Sequence, residues 1–75
     1  MEMGLDRLQP GKTALVTQIC LPKAIEQRLR RFGLTVGTPV QCCYRSPGGK
    51  VTALGFSGTV VAVRTGQLGK IRVRC

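Results

Sequence analysis

The sequence predicts a mainly β fold, a small and partly closed barrel of about five strands with one α-helix. Five short runs are rich in Val, Ile and Thr, which favour strands, and turn signals separate these runs. One further stretch carries apolar residues at helical spacing. Closing the strands into a barrel protects edges that would otherwise invite aggregation. With 75 residues, 43% of them apolar, the chain suits a single domain over residues 1–75.

The chain is expected to open with a turn at residues 5–8, followed by a strand over residues 12–19. Successive side chains of a strand point to opposite faces of the sheet. One face of this strand should therefore carry Leu15, Thr17 and Ile19. The other face should carry Ala14, Val16 and Gln18.

A helix is predicted over residues 22–32. Pro22 suits the first helical position, where its missing N–H costs nothing. Apolar residues at i, i+4 and i+7 predict a buried stripe made of Ile25, Leu29 and Phe32. Gly33, just past the helix, can close the last turn in the left-handed conformation, with Leu34 folding back as an apolar cap. The helix should therefore end in a sharp corner.

Four more strands are predicted, over residues 38–45, 50–56, 59–64 and 70–75. A turn at residues 36–37 leads into the first of them. Residues 46–49 have Pro in the second position and Gly in the third, which predicts a type II turn. Glycines at residues 55–58 indicate a bend or bulge, and residues 65–69 a tight turn.

The formal net charge is +9, from twelve Lys and Arg against three acidic residues. This charge favours an anionic partner such as nucleic acid, an acidic protein face or the inner membrane surface. The competing interpretation is a solvated basic surface with no specific partner. The candidate partner-binding residues lie on the outer helix face and the last strand and are Arg28, Arg30, Arg31, Arg72 and Arg74.

The N-terminal sequence lacks a basic start followed by an apolar run, so no signal peptide is expected. The dense apolar stretch at residues 60–63 is far shorter than the ~20 residues of a membrane helix. These features predict a cytoplasmic protein that does not insert into the membrane.

Groups that carry catalysis are scarce in this chain. It has no histidine, which excludes Ser-His-Asp and Cys-His nucleophiles. Its three carboxylates, Glu2, Asp6 and Glu26, give little support for a general acid–base pair. No phosphate-binding loop of the G-x-x-x-x-G-K-[ST] type occurs. The sequence therefore predicts a protein that is not an enzyme and has no cofactor.

The four cysteines do not show the paired spacing of structural zinc ligands. A reducing compartment argues against disulfides. Cys42 and Cys43 are adjacent on a predicted strand, so their side chains should face opposite sides. Cys20 and Cys75 each end a predicted strand, so these two thiols could converge in space. Free thiols and no metal site are the prediction.

Short fragments through most of the chain resemble the FeoA family, the small cytoplasmic component of bacterial ferrous iron uptake. In order, they are Leu8-x-x-Gly11, Arg28-Leu29 with Phe32-Gly33-Leu34, Gly37-Thr38 before Val40, Pro47 with Gly49, Gly58-x-x-x-Ala62-Val63-Arg64, and Ile71-x-Val73. The resemblance implies an SH3-like, partly open barrel with an inserted helix. One departure is Gln67, where many relatives carry an acidic residue.

The resemblance also implies a role and a partner. FeoA-like proteins are accessory proteins thought to assist a FeoB-type membrane iron transporter with a cytosolic GTPase domain. This chain would then be a monomer when free and would be recruited to the inner face of the plasma membrane. The alternative is a small basic barrel that binds nucleic acid, which the charge favours. Against it, stacking rings are few, and of Phe32, Phe56 and Tyr44 only the last is expected outside the core.

Overall fold

The computed structural model describes all 75 residues. Its six strands are β1 (Glu2–Gly4), β2 (Thr13–Ile19), β3 (Pro39–Arg45), β4 (Val51–Phe56), β5 (Thr59–Arg64) and β6 (Ile71–Arg74). The connections include a 3-10 turn at Leu5–Arg7, helix α1 (Lys23–Arg31) and helix α2 (Thr65–Leu68). All pairings are antiparallel, in the order β1-β6-β2-β3-β4-β5. Because β1 and β5 do not pair, the sheet is only partly closed, and the predicted mainly β fold is confirmed.

The N-terminal strand β1 is missing from the prediction, which expected five strands. β1 pairs with β6, with Glu2 opposite Arg74 and Gly4 opposite Arg72. Its Glu-Met-Gly sequence has low strand propensity. The strand forms because the far end of the chain supplies its hydrogen-bonding partners, which no local pattern reveals.

Strand β2 contains a bulge between Val16 and Gln18 that shifts its register against β6. Ala14 and Val16 are buried, as the alternation predicts. Leu15 is 48% exposed, whereas Ile19 packs against the core. The expectation that these two share a face is therefore wrong, because the extra residue of a bulge exchanges the faces of the strand.

Helix α1 begins one residue later than predicted. Pro22 is the residue that caps the helix N-terminus, and its carbonyl accepts the first helical hydrogen bond, from the Glu26 N–H. Leu29 is buried and Ile25 packs against the core. Phe32, predicted as the third core residue of the stripe, is 43% exposed. It lies at the C-cap, where the helix has already ended, and so it turns away from the helix face that packs on the sheet.

The corner after α1 has the predicted geometry. Gly33 has a φ of 104°, and its N–H donates to the Arg30 carbonyl at 2.9 Å. The Leu34 N–H donates to the Leu29 carbonyl at 3.1 Å, and its side chain is fully buried. This pair of bonds is the Schellman arrangement, which satisfies carbonyls that the helix end would leave free. At the end of the helix it is therefore Leu34, and not Phe32, that belongs to the core.

The turn between β3 and β4 is not the predicted type II. The Gly49 N–H donates to the Ser46 carbonyl at 2.7 Å. Positive φ occurs at Gly49, with a value of 73°, and not at Gly48. A type II turn needs positive φ at its third residue, here Gly48, so the geometry fits a type I turn followed by one left-handed residue.

The connection between β4 and β5 is a two-residue hairpin and not the predicted bend or bulge. Ser57 and Gly58 have φ values of 53° and 74°. Positive φ at both central residues is the type I′ pattern, whose twist matches that of the flanking strands. Further along, the predicted tight turn at residues 65–69 is the short helix α2.

One cluster of 13 buried apolar residues forms the core. The largest fully buried side chains in it are Leu5, Leu8, Leu34, Leu54, Leu68 and Ile71. They come from the 3-10 turn, the corner after α1, helix α2 and the inner face of the sheet. Burying a leucine stabilises a fold by about 1.5–3 kcal/mol, so this cluster holds the connecting segments against the sheet.

Polar side chains form a hydrogen-bonded network at the edge of the core. The Thr52 hydroxyl, fully buried on β4, lies 2.8 Å from the Thr65 Oγ1 at the start of α2. Arg45 Nε donates to Thr52 Oγ1 at 3.1 Å, and Arg45 Nη2 donates to the Leu8 carbonyl at 3.0 Å. Arg45 is therefore a structural residue that joins β3 to β4 and to the end of the 3-10 turn.

Candidate functional site

A groove of about 340 Å³ lies between helix α1 and strand β5. Its apolar lining comes from one face of the helix, through Ile25 and Leu29, and from the strand, through the inward-facing Val61 and Val63 and the exposed Ala62 between them. Residues four apart on a helix and two apart on a strand share a face, which is why each wall presents a matched apolar pair. Arg28, Arg64 and Gln67 complete the lining.

The two walls of the groove are joined at one end. Ser57, in the hairpin before β5, donates a hydrogen bond from Oγ to the Gly33 carbonyl at 3.3 Å. Gly33 lies just past the end of α1, so this contact links the corner of the helix to the hairpin of the strand. The position of α1 relative to β5 therefore depends on this corner.

The groove carries uncompensated positive charge. The two ion pairs in the protein are Arg30 with Glu26 at 3.3 Å and Arg72 with Glu2 at 3.7 Å. Arg28 and Arg64 have no carboxylate partner. The Gln67 side chain also lines the groove, and its Oε1 is buried without a hydrogen-bond partner. An occupant with an apolar surface and a carboxylate would match the apolar lining and the two arginines.

The five arginines predicted to bind a partner lie on two different surfaces. Arg28 lines the groove, whereas Arg30 and Arg31 are exposed on α1. Arg72 and Arg74 lie on β6, which runs between β1 and β2 and is distant from β5 in the strand order. No hydrogen bond, ion pair or cavity joins the two sets. A partner-binding role for any of them stays a prediction.

Sequence reasoning missed Arg64 and the whole strand β5 as candidates. Arg64 ends the run Thr-Val-Val-Ala-Val-Arg, which predicts a strand and ends one of the FeoA-like fragments but does not by itself indicate a partner-binding role. Residues 59–63 of that run are uncharged, which is a visible signal, since exposed edge strands usually carry a charge or a proline. That β5 is an edge strand comes only from the sheet topology.

The cysteines do not gather into a site. Cys42 is buried and Cys20, Cys43 and Cys75 are exposed, with all four thiols free. The opposite orientation of Cys42 and Cys43 is confirmed by this difference in burial. Cys20 and Cys75 lie at opposite ends of the antiparallel β2–β6 pair, so the expectation that they could converge is wrong. No three His, Cys, Asp or Glu side chains lie close enough together to hold a metal ion.

Aromatic rings do not form a stacking surface. Phe56 is buried, as predicted, and Tyr44 is 58% exposed on β3. Phe32 is the other exposed ring and lies at the end of α1. None of the helices is long and apolar enough to span a membrane.

Comparison with known proteins places this chain in a family. A family model described as FeoA domain matches residues 3–75. No protein with a curated description matches the chain by sequence. The solution structure of FeoA from Chlorobium tepidum is 26% identical with a TM-score of 0.92, and the match covers 96% of this chain and 69% of that one.

Two crystal structures are similarly close. An iron uptake regulatory protein (FeoA) is 28% identical with a TM-score of 0.83, and the match covers 99% of this chain and 97% of that one. FeoA from Stenotrophomonas maltophilia, in complex with zinc, is 27% identical with a TM-score of 0.81, covering 95% and 88% of the two chains. That protein is described as a prokaryotic SH3 domain protein, which confirms the SH3-like fold. Since the family model covers nearly the whole sequence, this chain belongs to the FeoA family.

Proposed function

We propose that this protein is a non-enzymatic accessory protein of ferrous iron uptake that docks on the cytosolic GTPase region of a FeoB-type transporter. Family membership supports the pathway. Among its relatives, one is named an iron uptake regulatory protein, and the Stenotrophomonas protein is proposed to act as a ferrous iron transport activating factor. In this role the protein works in the cytoplasm and is recruited to the inner face of the membrane by its partner.

The groove between α1 and β5 is the observation that carries the proposal. It combines an apolar floor with two arginines that lack a carboxylate partner. Apolar anchors at the centre with charge around them are typical of protein-binding sites. Arg28 and Arg64 then contact the partner directly. Arg30, Arg31, Arg72 and Arg74, which lie outside the groove, raise the rate of encounter with an acidic partner.

The test is an NMR titration of the labelled protein with the isolated GTPase domain of the transporter from the same source. Amide shifts confined to α1, β5 and α2 are expected. The double variant Arg28→Glu/Arg64→Glu should lose most of the affinity, because both charges lie at the groove. The matched control Arg72→Glu/Arg74→Glu makes the same change in net charge on β6 and should mainly slow association and alter its salt dependence.

Other outcomes count against the proposal. Equal losses in the two double variants would mean that net charge alone attracts the domain. The absence of any shift at high protein concentration would refute docking on the GTPase domain. Binding to a random oligonucleotide that survives at physiological salt would instead support the nucleic-acid alternative, since nonspecific phosphate contacts weaken steeply with added salt.

A further inference from the structure

Strand β5 has one edge without a hydrogen-bonding partner. It pairs only with β4, in a register that runs from Phe56 opposite Thr59 to Val51 opposite Arg64. Beyond the strand, the Thr65 N–H donates to the Lys50 carbonyl. Since an antiparallel pair alternates bonded and non-bonded positions, the odd-numbered residues of β5 bond to β4. The N–H groups of the even-numbered residues Val60, Ala62 and Arg64 and the carbonyls of Val60 and Ala62 therefore point away from β4, at the free edge, while the Arg64 carbonyl lies at the start of α2.

The side chains of β5 leave room for another strand beside it. Val61 and Val63 face inward and floor the groove against α1. Val60 is 65% exposed on the outer face, where its neighbour on β4 is Gly55. Ala62 lies opposite Ala53, so the neighbours of Val60 and Ala62 on β4 are both small.

Over residues 59–63 the edge lacks the usual protection against strand addition, and the one charge of β5, on Arg64, lies at its last position. Natural edge strands carry charges, prolines or bulges that block pairing. Residues 59–63 contain no charge and no proline, and the pairing of β5 with β4 is regular throughout. An edge of this kind is a template for an added strand.

The positive charge of the groove indicates what kind of segment can add to β5. A second copy of this chain would bring its own Arg28 and Arg64 to the same groove, and each molecule carries a net charge of +9. Like charges close together oppose such pairing. A segment with alternating apolar and acidic residues has the opposite character, because its apolar side chains fit the groove floor and its carboxylates reach the free guanidiniums.

We propose that the free edge of β5 binds an extended segment of a partner protein, with alternating apolar and acidic residues, as an added strand of the sheet. The inference deepens the proposed function, on which it rests for the partner being a protein. The backbone of the segment pairs with Val60, Ala62 and Arg64. Its apolar side chains enter the groove beside Ile25 and Leu29, and its carboxylates meet Arg28 and Arg64.

The experiment uses capped peptides of alternating valine and glutamate, about eight residues long, which is enough to span β5. Two further versions carry N-methyl groups on alternate residues, one version on the odd positions and one on the even. Added-strand pairing uses the N–H groups of only one set, so one methylated peptide should bind like the parent and the other should fail. Slowed amide exchange at Val60, Ala62 and Arg64 should accompany binding.

The protein variant Ala62→Pro tests the same edge from the other side. Proline removes an N–H that faces the groove and is not used by β4, so the β4–β5 pairing should survive. A single lost hydrogen bond predicts an affinity about threefold to tenfold lower. Arg64→Glu should weaken binding of the valine–glutamate peptide and strengthen binding of a matched peptide of valine and lysine.

Three results would overturn the inference. The two methylated peptides could bind equally, which would reduce the interaction to charge. The peptide could shift only residues outside β5 and α1. The amides of Val60, Ala62 and Arg64 could change with protein concentration alone, which would make a second copy the occupant.

If the peptides discriminate but the transporter domain does not bind, the edge inference stands and the proposed partner is wrong. If the domain binds wild type and Ala62→Pro equally and the peptides show no discrimination, the proposed partner stands and the edge inference is wrong.

Discussion

The corner at Gly33 gives a sharp prediction, because two separate effects oppose any side chain there. Its φ of 104° lies in the left-handed region. A Cβ at this position would lie 2.6 Å from the Ser57 Oγ and 2.8 Å from the Ser57 Cβ. Gly33→Ala should therefore strain the backbone and also push the β4–β5 hairpin away from the end of α1.

The size of each effect can be separated with a matched glycine. Gly37 has a φ of 91°, and a Cβ there would meet no atom within 4 Å. Gly37→Ala should thus cost only the left-handed strain, about 1–2 kcal/mol. Gly33→Ala adds the steric contact, worth about 1–3 kcal/mol, for a total of about 2–5 kcal/mol. The gain from restricting the unfolded chain is similar in both variants and cancels in the comparison.

Urea and thermal denaturation measure the difference. In a domain of this size each kcal/mol lowers Tm by roughly 4–8 °C, so the two variants should be well separated. In a Ser57→Gly background the steric part disappears, and Gly33→Ala should then cost about as much as Gly37→Ala. Equal destabilisation by the two alanine variants in the wild-type background would refute the contact with Ser57 and the coupling of α1 to the hairpin.

Two further predictions concern the core. Thr52→Val keeps the shape of the side chain but leaves Arg45 and Thr65 without their buried partner, so urea denaturation should show a loss of about 1–3 kcal/mol. No measurable loss would mean that both groups find other partners. Leu29→Ala should cost about 2–5 kcal/mol, and Phe32→Ala clearly less, since Phe32 is 43% exposed. Equal losses of stability would restore the view that both residues belong to one buried stripe.

Local patterns predicted most elements because their causes are local. The Ile25–Leu29 repeat and Gly33 define the helix and its end within a few residues. The alternation in β6, with Ile71 and Val73 buried, follows from the period of a strand. The turn types were harder to predict, because a Pro-Gly-Gly sequence permits left-handed geometry at either glycine. The closure of the β3–β4 hairpin places the left-handed geometry at Gly49.

Pairings between distant segments could not be predicted in the same way. Strand β1 has a sequence of low propensity and exists because β6 lies beside it. The bulge in β2 depends on the register that β6 imposes, and it decides that Ile19 faces inward while Leu15 does not. In both cases the stabilising free energy comes from contacts between residues that are far apart in sequence.

The sequence by itself determined the mainly β class, the FeoA resemblance, the helix corner and the basic character, since each depends on composition or short-range spacing. Only the tertiary structure decided which arginines share a surface. It separated Arg28 from Arg72 and Arg74 and brought Arg64 to the groove. It also made β5 an edge strand. These outcomes depend on the order of strands in the sheet, which is set by packing of the whole chain and not by any local segment.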